Sequence, residues 1–399
     1  MYLTREEERV LAGEEGEARR LALSVIVKVG EALGAERLIP IKHAHVSGAS
    51  YSTVGDAGRR FIEDLARMGA RFSVPTTVNP VGIDTEDLDR VPASYTREYL
   101  RGQKAILDSF RIMGADLILT CTPYYTHIPR HMGLEPGSHV AWGESSAVVY
   151  GNSFLGLRTN REGGPLALMA GIAGRTYYQG LHTPEGRSPV VEIRVEQEAP
   201  LDEAVAGVLG EAIVEYTPHG RVPLVKARIA SEPGLRELAA AVGTAGDLGM
   251  IHLEGVTPEK PSLTGIEERV TIDRVELGER IERVSPGERP DIVYIGCPHA
   301  GINDLELLER ELRRLGRPRS RILVSTSRHV YMEALRMGLV GRLEGYGVQF
   351  VRDTCLIVSP FRDRSVSVAT NSYKAYFYLS RKGVKASLAP IPRLVEASR

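Results

Sequence analysis

The sequence predicts a multidomain α/β protein built from parallel βαβ units. Short apolar segments such as "ADLILT" and "DIVYIG" alternate with amphipathic segments of helical period, which is typical of parallel sheets flanked by helices. A chain of 399 residues is too long for one ordinary hydrophobic core, so several domains are expected. We predict an N-terminal α/β domain over residues 1–195, a middle α/β region over 196–282 and a C-terminal α/β domain over 283–399.

Composition and charge indicate a globular protein and exclude two classes of partner. Hydrophobic residues make up 43% of the chain and charged residues 25%, as in ordinary globular domains. The formal net charge of -1 argues against binding to nucleic acid or to a membrane surface. No apolar run approaches the length of a membrane span, and the start "MYLTREEERV" lacks the apolar segment of a secretory signal.

The N-terminal domain is predicted to alternate helices with short strands. Thr4 and Glu7 have the spacing of a capping box, so a first helix is expected to begin there. Three more helices and three strands follow from hydrophobic periodicity. The helical segments are "RRLALSVIVKVGEAL", "RRFIEDLARMG" and "SYTREYLRGQKAILDSFRIMG", and the strands lie in "RLIPIKHAHVSGASY", "ARFSVPTTVNPVG" and "ADLILT". Residues 138–180 are rich in glycine and serine and show little periodicity, so no regular element is predicted there.

Strands and helices also alternate in the rest of the chain. Strands are predicted in "PVVEIRVEQ", "PDIVYIGCPH", "RILVST" and "VQFVRDTCLIVS". A helix is expected from Asp304, with Asn303 as its N-cap and Glu306 three residues further on. One face of this helix carries four leucines: Leu305, Leu308, Leu312 and Leu315.

The chain has three cysteines, Cys121, Cys297 and Cys355. This small odd number argues against a disulfide framework and favours a reducing, cytoplasmic setting. Cys121 and Cys297 follow predicted strands directly, where parallel sheets place their ligands. Their spacing matches no local zinc or ferredoxin signature. The residues alone therefore leave open a buried structural role, a zinc or structural scaffold, and a hydrolase that uses Cys121 with His127.

Two polar loops after predicted strands offer candidate groups for binding an anion. Gly48, Ala49 and Ser50 can present backbone amides and a hydroxyl to a phosphate, or form an ordinary turn. Asn79 precedes Pro80, a pair that usually marks a turn, and its amide can also orient a carboxylate. The residues alone leave an anion site and an ordinary turn open at both loops.

Further polar residues are candidates with a plausible structural alternative. Glu144, beside Ser145, can accept a proton or bind a hydroxyl, but a salt-bridged glutamate is common. His43 and His45 alternate along a strand end and should point to opposite sides. Amides, hydroxyls and arginines in a glycine-rich stretch suit anion recognition or loop scaffolding: Asn152, Ser153, Arg158, Asn160 and Arg161. Lys374 can reach an anion, although a surface lysine is common, and His299 follows Cys297 by two residues.

Five separated blocks, in order, resemble the aconitase X family over nearly the whole chain. The blocks are "LTREEERVLAGEEGEARRLA", "IPIKHAHVSGASY", "TCTPY", "AWGESSAVVYGNSFLGLRTNREGG" and "YIGCPHA". The resemblance implies three domains related to the first three of aconitase, with the site at their interface. It also implies a [4Fe–4S] cluster on Cys121, Cys297 and Cys355. Three thiolates leave one iron without a cysteine ligand, and such an iron can act as a Lewis acid.

The resemblance also implies an activity and a partner. The chain resembles most the large subunits that dehydrate (R)-5-phosphomevalonate to trans-anhydromevalonate 5-phosphate in a modified mevalonate route to isoprenoids. Members that dehydrate cis-3-hydroxy-L-proline are the alternative. A small swivelling-domain subunit is expected to supply the base serine and complete a heterodimer, so the pair Ser327 and Arg328 is rejected as the base.

The implied site residues fall into two sets. Catalytic roles are implied for His299, Glu144 and Ser145. Roles in binding the phosphorylated hydroxy-acid substrate are implied for a larger set: Gly48, Ala49, Ser50, Asn79, Pro80, Asn152, Ser153 and Lys374.

Overall fold

Three parallel sheets follow one another along the computed structural model, which describes residues 1–399. The first sheet has the order β4-β3-β2-β5, and β1 and β6 form a separate antiparallel pair. The N-terminal elements are α1 (Arg5–Leu11), α2 (Glu17–Ala32), β1 (Leu38–Pro40), β2 (Ala44–Val46), α3 (Tyr51–Arg67), β3 (Thr76–Val78), α4 (Arg97–Ile112), β4 (Asp116–Leu119), α5 (Ile128–His131), β5 (Ala141–Trp142), α6 (Ser145–Phe154), α7 (Gly164–Ala173) and β6 (Arg175–Tyr177).

The middle part of the chain forms the second parallel sheet, with the order β10-β7-β8-β9. Its elements are β7 (Pro189–Val195), α8 (Glu203–Glu215), β8 (Val222–Lys226), α9 (Glu232–Ala245), β9 (His252–Leu253), β10 (Glu268–Ile272) and α10 (Arg274–Val284). Since β7 pairs with β8 and β10, it lies in the middle sheet. The predicted boundary at residue 195 placed this strand in the N-terminal domain and is corrected here.

The C-terminal part forms the third parallel sheet, with the order β13-β12-β11-β14-β15. Its elements are β11 (Ile292–Ile295), α11 (Ile302–Leu315), β12 (Arg321–Thr326), α12 (Arg328–Arg336), α13 (Leu339–Gly345), β13 (Gln349–Arg352), β14 (Ser367–Thr370), α14 (Tyr373–Arg381), β15 (Lys385–Leu388) and α15 (Ile391–Ala397). The predicted α/β class with parallel sheets is confirmed.

Strand order locates two switch points at which ligands can bind. In the first sheet, the chain builds outward from β2 through β3 to β4, and β5 then joins the other side of β2. In the third sheet, β12 and β13 lie on one side of β11, while β14 and β15 lie on the other. Crevices open outside the carboxyl ends of strands at such reversals. The loops after β2, β5, β11 and β14 are therefore the places to look for a site.

Capping chemistry sets the start of two helices. At α1, the backbone N–H of Glu7 donates to Thr4 Oγ1 at 3.3 Å, and the N–H of Thr4 donates to Glu7 Oε2 at 2.7 Å, so the predicted capping box is confirmed. At α11, Gly301 is the N-cap, and its N–H donates to Asp304 Oδ2 at 2.8 Å. The prediction of Asn303 as the cap was wrong, because the Asp304 carboxylate takes this role and the helix starts earlier.

Two helices in residues 138–180 were missed because they are buried on all sides. Every residue of α6 from Ser146 to Ser153 is buried, and so is every residue of α7 from Ala167 to Ala173. A helix enclosed in this way needs no polar face and leaves no amphipathic signal. Helix α6 contributes Val149 and Tyr150 to the core of the middle domain.

Gly296, in the loop after β11, has no room for a side chain. Its φ is +117°, and a Cβ at this position would lie 2.0 Å from the carbonyl oxygen of Ser325. We expect Gly296→Ala to lower the stability of the C-terminal domain by about 3 kcal/mol or more, measured by calorimetry. The control Gly278→Ala lies inside α10 with no atom within 4 Å of its Cβ and should not lower stability. An unchanged Gly296→Ala transition would contradict the expected clash.

Candidate active site

All three cysteines lie just beyond the carboxyl ends of parallel strands. Cys121 follows β4, Cys297 follows β11 and Cys355 follows β13, and all three are buried and unpaired by disulfides. The predicted strand around Cys355 is shorter than expected, since β13 ends at Arg352. The strand ends of the first and third sheets therefore bring together three residues that are far apart in the sequence.

The thiols of Cys297 and Cys355 are close enough to shift each other's pKa. The interaction with Cys297, together with backbone N–H donors from Ile357 and Val358, lowers the pKa of Cys355 to about 7 despite its burial. The interaction with Cys355 and burial raise the pKa of Cys297 well above its usual value. Burial raises the pKa of Cys121 even though its Sγ accepts a hydrogen bond from the backbone N–H of His299 at 3.2 Å. Cys355 is thus the readiest thiolate of the three.

The surroundings of the thiols include buried polar atoms that a bound group could engage. No three His, Cys, Asp or Glu side chains are grouped closely enough to hold one metal ion. Thr354 Oγ1 and both side-chain polar atoms of Asn371 are buried without a hydrogen-bond partner. Each buried polar group without a partner lowers the stability of a fold by about 1–3 kcal/mol. Thr354 precedes Cys355, and Asn371 follows β14, the neighbour of β11.

A cleft of about 960 Å³ opens at the switch point of the first sheet. Residues after β2, β3 and β5 line it, and α14 of the C-terminal domain closes one side. Eight of the predicted site residues line this cleft: Gly48, Ala49, Ser50, Asn79, Pro80, Glu144, Ser145 and Lys374. Their convergence from loops far apart in the sequence identifies the cleft as the candidate active site.

The loop after β2 presents unpaired backbone donors just before α3. The backbone N–H groups of Gly48, Ala49 and Ser50 make no hydrogen bond within the protein. The Ser50 hydroxyl is engaged, because it donates to the carbonyl oxygen of Val358 at 2.6 Å and caps α3. Three free N–H groups lie just before α3, whose first turn is separated from the rest of the helix by Gly55 with a non-helical backbone. Clustered backbone donors of this kind suit a phosphate or carboxylate.

Glu144 and Lys374 form a buried ion pair across the domain interface. Lys374 Nζ donates to Glu144 Oε1, and Asn79 Nδ2 donates to Glu144 Oε2 at 2.5 Å. Burial alone would raise the pKa of Glu144, but the Lys374 ammonium and the bonds from Lys374 and Asn79 hold that pKa at about 2. Burial opposes the charge on Lys374 too, yet Glu144 raises the pKa of this lysine above its usual value. Both side chains are therefore ionised in the cleft.

His299 is buried beside the cysteines and does not line the cleft. Its Nε2 lies 3.0 Å from the carbonyl oxygen of Thr354 and must donate, so Nδ1 accepts from Thr120 Oγ1 at 3.2 Å. Burial lowers the pKa of His299 to about 4. Because both ring nitrogens are hydrogen-bonded, the neutral ring has no free N–H to offer a ligand. The backbone N–H of His299 positions the Cys121 thiol.

The structure does not bring Asn152 and Ser153 into the cleft. The Asn152 amide donates to the carbonyl oxygens of Thr159 and Gly249, and Ser153 Oγ accepts from the N–H of Ile251. Both side chains are fully buried and saturated with backbone partners, so they hold the loops around α6. We withdraw them from the substrate-binding set for this physical reason.

The rejected pair Ser327 and Arg328 also has structural partners. Ser327 caps α12 through the N–H of Val330, and Arg328 pairs with Asp353 and Glu86. Neither Ser327 nor Arg328 lines the cleft.

Lys382 and Glu162 line the cleft but were not singled out from the sequence. Lys382 Nζ donates to the carbonyl oxygens of Leu356 and Ile357, and burial lowers the pKa of this lysine to about 8. It follows Lys374 by about two helical turns on α14, a spacing that could have revealed it. Burial raises the pKa of Glu162 to about 7, although it accepts a hydrogen bond from Tyr177. No local motif marks this residue.

Comparison with known proteins places the chain in a family. Models of the first, second and third domains of aconitase X match residues 1–185, 189–282 and 290–399. The chain belongs to the aconitase X family. It is 61% identical over 402 residues to the phosphomevalonate dehydratase large subunit of Aeropyrum pernix, covering 99% of this chain and 100% of that protein.

More distant aconitase X relatives span two named activities. The phosphomevalonate dehydratase large subunit of Thermococcus kodakarensis is 36% identical and covers 99% of both chains. A cis-3-hydroxy-L-proline dehydratase of Pseudomonas aeruginosa is 31% identical, over 98% of this chain and 69% of that protein. The crystal structure of Thermococcus kodakaraensis aconitase X in its holo form superposes with a TM-score of 0.90 at 36% identity, covering 100% of both chains. None of the helices here has the length and apolar character needed to cross a membrane.

Proposed function

We propose that this chain is the large subunit of a hydro-lyase that dehydrates (R)-5-phosphomevalonate to trans-anhydromevalonate 5-phosphate. Full-length similarity to the large subunit of Aeropyrum pernix supports this substrate. The cleft supports it because free N–H groups and a lysine ammonium converge from two domains. A substrate with a carboxylate and a phosphate needs donors of this kind.

A [4Fe–4S] cluster on Cys121, Cys297 and Cys355 fits the thiols and the orphaned polar groups beside them. Such a cluster, with one iron lacking a cysteine ligand, supplies Lewis-acid polarisation of the hydroxyl at C3 and the carboxylate. The chain's own part is to hold the three thiols in place. His299 contributes by donating its backbone N–H to Cys121 Sγ.

The residues of the cleft bind and orient the substrate. The N–H groups of Gly48, Ala49 and Ser50 bind one anionic end. Lys374, held by Glu144, sets a fixed positive charge within the cleft, and Ser145 lies beside this pair at 3.3 Å from Lys374 Nζ. These groups align the C2 proton for removal, which still requires a base.

The base is proposed to come from a small swivelling-domain subunit through a serine, making the active enzyme a heterodimer. Within this chain, Glu144 is a poor base because the Lys374 ammonium and two hydrogen-bond donors keep its pKa at about 2. His299 has no free nitrogen. The description of the Aeropyrum pernix relative as a large subunit agrees with a partner chain.

Co-expression with a small subunit of the kind proposed, followed by an anaerobic assay, tests the proposed reaction. We expect dehydration of (R)-5-phosphomevalonate with both subunits present, and none with either alone. cis-3-Hydroxy-L-proline should not react. Absence of phosphomevalonate dehydration by an iron-loaded heterodimer would reject the proposal.

Glu162 is the cleft carboxyl group whose pKa best suits a base, so its replacement tests where the base comes from. If the partner serine removes the proton, Glu162→Gln should keep activity within about threefold. Because burial raises the folded-state pKa of Glu162 to about 7, its contribution to stability is lost as the pH rises towards that value. Glu162→Gln should therefore gain stability relative to wild type between about pH 5 and pH 8. A loss of activity of about 100-fold or more would instead assign the base to this chain.

The other functions considered from the sequence gain no support from the site. A cysteine hydrolase needs a thiol of lowered pKa, and burial raises the pKa of Cys121. His127 contacts His131 and His329, and its ring makes no hydrogen bond to Cys121. A zinc scaffold would give a colourless protein after anaerobic purification, whereas the proposed cluster gives a brown one.

A further inference from the structure

A continuous chain of buried polar side chains runs beneath the cleft, behind the ion pair of Glu144 and Lys374. Consecutive members are separated by hydrogen-bond distances of 3.0, 3.3, 2.7, 2.8 and 2.5 Å. The order of the chain is Trp142, His43, Thr77, His45, Asn79 and Glu144. The expectation that His43 and His45 point to opposite sides was wrong: both rings contact Thr77 Oγ1, because residues two apart in an extended segment lie on the same face.

The two ends of this chain fix the direction of every hydrogen bond in it. The indole N–H of Trp142 can only donate, so His43 Nδ1 accepts and His43 Nε2 carries the proton. The N–H at His43 Nε2 donates a hydrogen bond to Thr77 Oγ1. The hydroxyl of Thr77 in turn donates a hydrogen bond to His45 Nδ1. His45 Nε2 is left to donate to Asn79 Oδ1.

The far end of the chain requires the same order independently. Glu144 is ionised and can only accept, so Asn79 must present Nδ2 to it and Oδ1 to His45. The opposite orientation of the amide would place two oxygens against each other at 2.5 Å. Burial lowers the pKa of His43 to about 3, and lowers that of His45 to about 4 despite opposing effects of Glu144, Asn79 and the Thr120 carbonyl. Both rings are therefore neutral, as the order demands.

We propose that His45 is a positioning residue that holds the Asn79 amide in place, on the side opposite Glu144, through this proton-ordered chain. The amide has two Nδ2 hydrogens, and Glu144 takes one of them. Since Asn79 lines the cleft, the other is presented to an oxygen of the substrate. Glu144 determines which amide atom faces it, but without the His45 donor Asn79 Oδ1 loses its partner, and the amide is held at one end only. This role rests on the proposed dehydration, because it assigns Asn79 a contact with the substrate of that reaction.

Two His45 variants separate positioning from simple packing. In His45→Gln, the amide nitrogen takes the place of Nε2 and can still donate to Asn79 Oδ1, whereas His45→Phe fills the space without a donor. In the heterodimer, we expect kcat/KM to fall by about 100-fold in His45→Phe and by less than about 10-fold in His45→Gln. Equal losses in the two variants would overturn the proposal.

A spectroscopic test decides the same question without any assay. In full-length chain labelled with ¹⁵N-histidine, the ring signals that disappear in His45→Gln belong to His45. These signals should show an unprotonated Nδ1 and a protonated Nε2 in wild type. A proton on Nδ1 would overturn the order of the chain even if the dehydration is fully active. Conversely, the expected tautomer together with an inactive enzyme would reject the proposed reaction and leave the proton order intact.

Discussion

Lys374→Met is expected to abolish nearly all dehydration, with a loss of about 1,000-fold in kcat/KM, and to destabilise the protein. The substitution removes the buried ammonium of Lys374 from the cleft and leaves the Glu144 carboxylate buried without its ion-pair partner. Breaking a buried pair in this way costs about 3–5 kcal/mol. Activity of the heterodimer and unfolding of the large subunit measure the two effects separately.

A double variant separates the role of Lys374 in catalysis from its role in stability. Glu144→Gln combined with Lys374→Met removes both charges, so we expect it to recover roughly half or more of the lost stability. It should recover none of the activity, because the Lys374 ammonium is still missing from the cleft. A double variant that regains activity would show that Lys374 acts only as a partner for Glu144.

Two further measurements sharpen the result for Lys374. In the single variant, burial without the ammonium raises the pKa of Glu144, so protonation relieves the unpaired charge. The deficit in stability should therefore be smaller at about pH 5 than at about pH 8. The matched control is Lys385→Met, since Lys385 pairs with Glu288 at the exposed surface. That variant should behave like wild type.

Local sequence patterns could predict many elements of the fold and the loops of the site. Apolar periodicity revealed α2, α4, β4 and β11, and the polar loops around Gly48 and Asn79 stood out beside predicted strands. What periodicity could not reveal were α6 and α7, because they are buried on every side. A helix can be recognised from sequence periodicity when one of its faces is buried and the other is exposed, because only then do apolar and polar residues alternate with the helical period.

Contacts between distant segments account for the parts of the site that the sequence could not predict. Asn79 and Asn152 both lie in polar segments and look alike as candidate ligands. Asn79 lines the cleft, whereas Asn152 is enclosed in α6 and bonded to three backbone groups. The pairing of Glu144 with Lys374 joins residues 230 positions apart. No single-sequence pattern encodes such a contact, and the strand order that creates it is known only from the structure.

Replacing any one of the three cysteines with serine is expected to remove the cluster and reduce dehydration by at least about 1,000-fold. Serine is close in size to cysteine, and each of these side chains is buried with few polar contacts, so the fold should persist. Iron and acid-labile sulfide per chain, visible absorption and activity should fall together in Cys121→Ser, Cys297→Ser and Cys355→Ser.

Equal loss in all three variants is the critical feature, because the thiols come from different domains. If Cys121, from the first sheet, shares one inorganic group with Cys297 and Cys355, from the third, losing it must be as harmful as losing either of the others. The matching alanine variants exclude an effect of the new hydroxyl, and thermal unfolding before loading with iron shows whether the fold is intact. A Cys121→Ser protein with full iron, sulfide and activity would mean that only the C-terminal pair binds metal. The assignment of the interface between the first and third sheets as the catalytic centre would then fail.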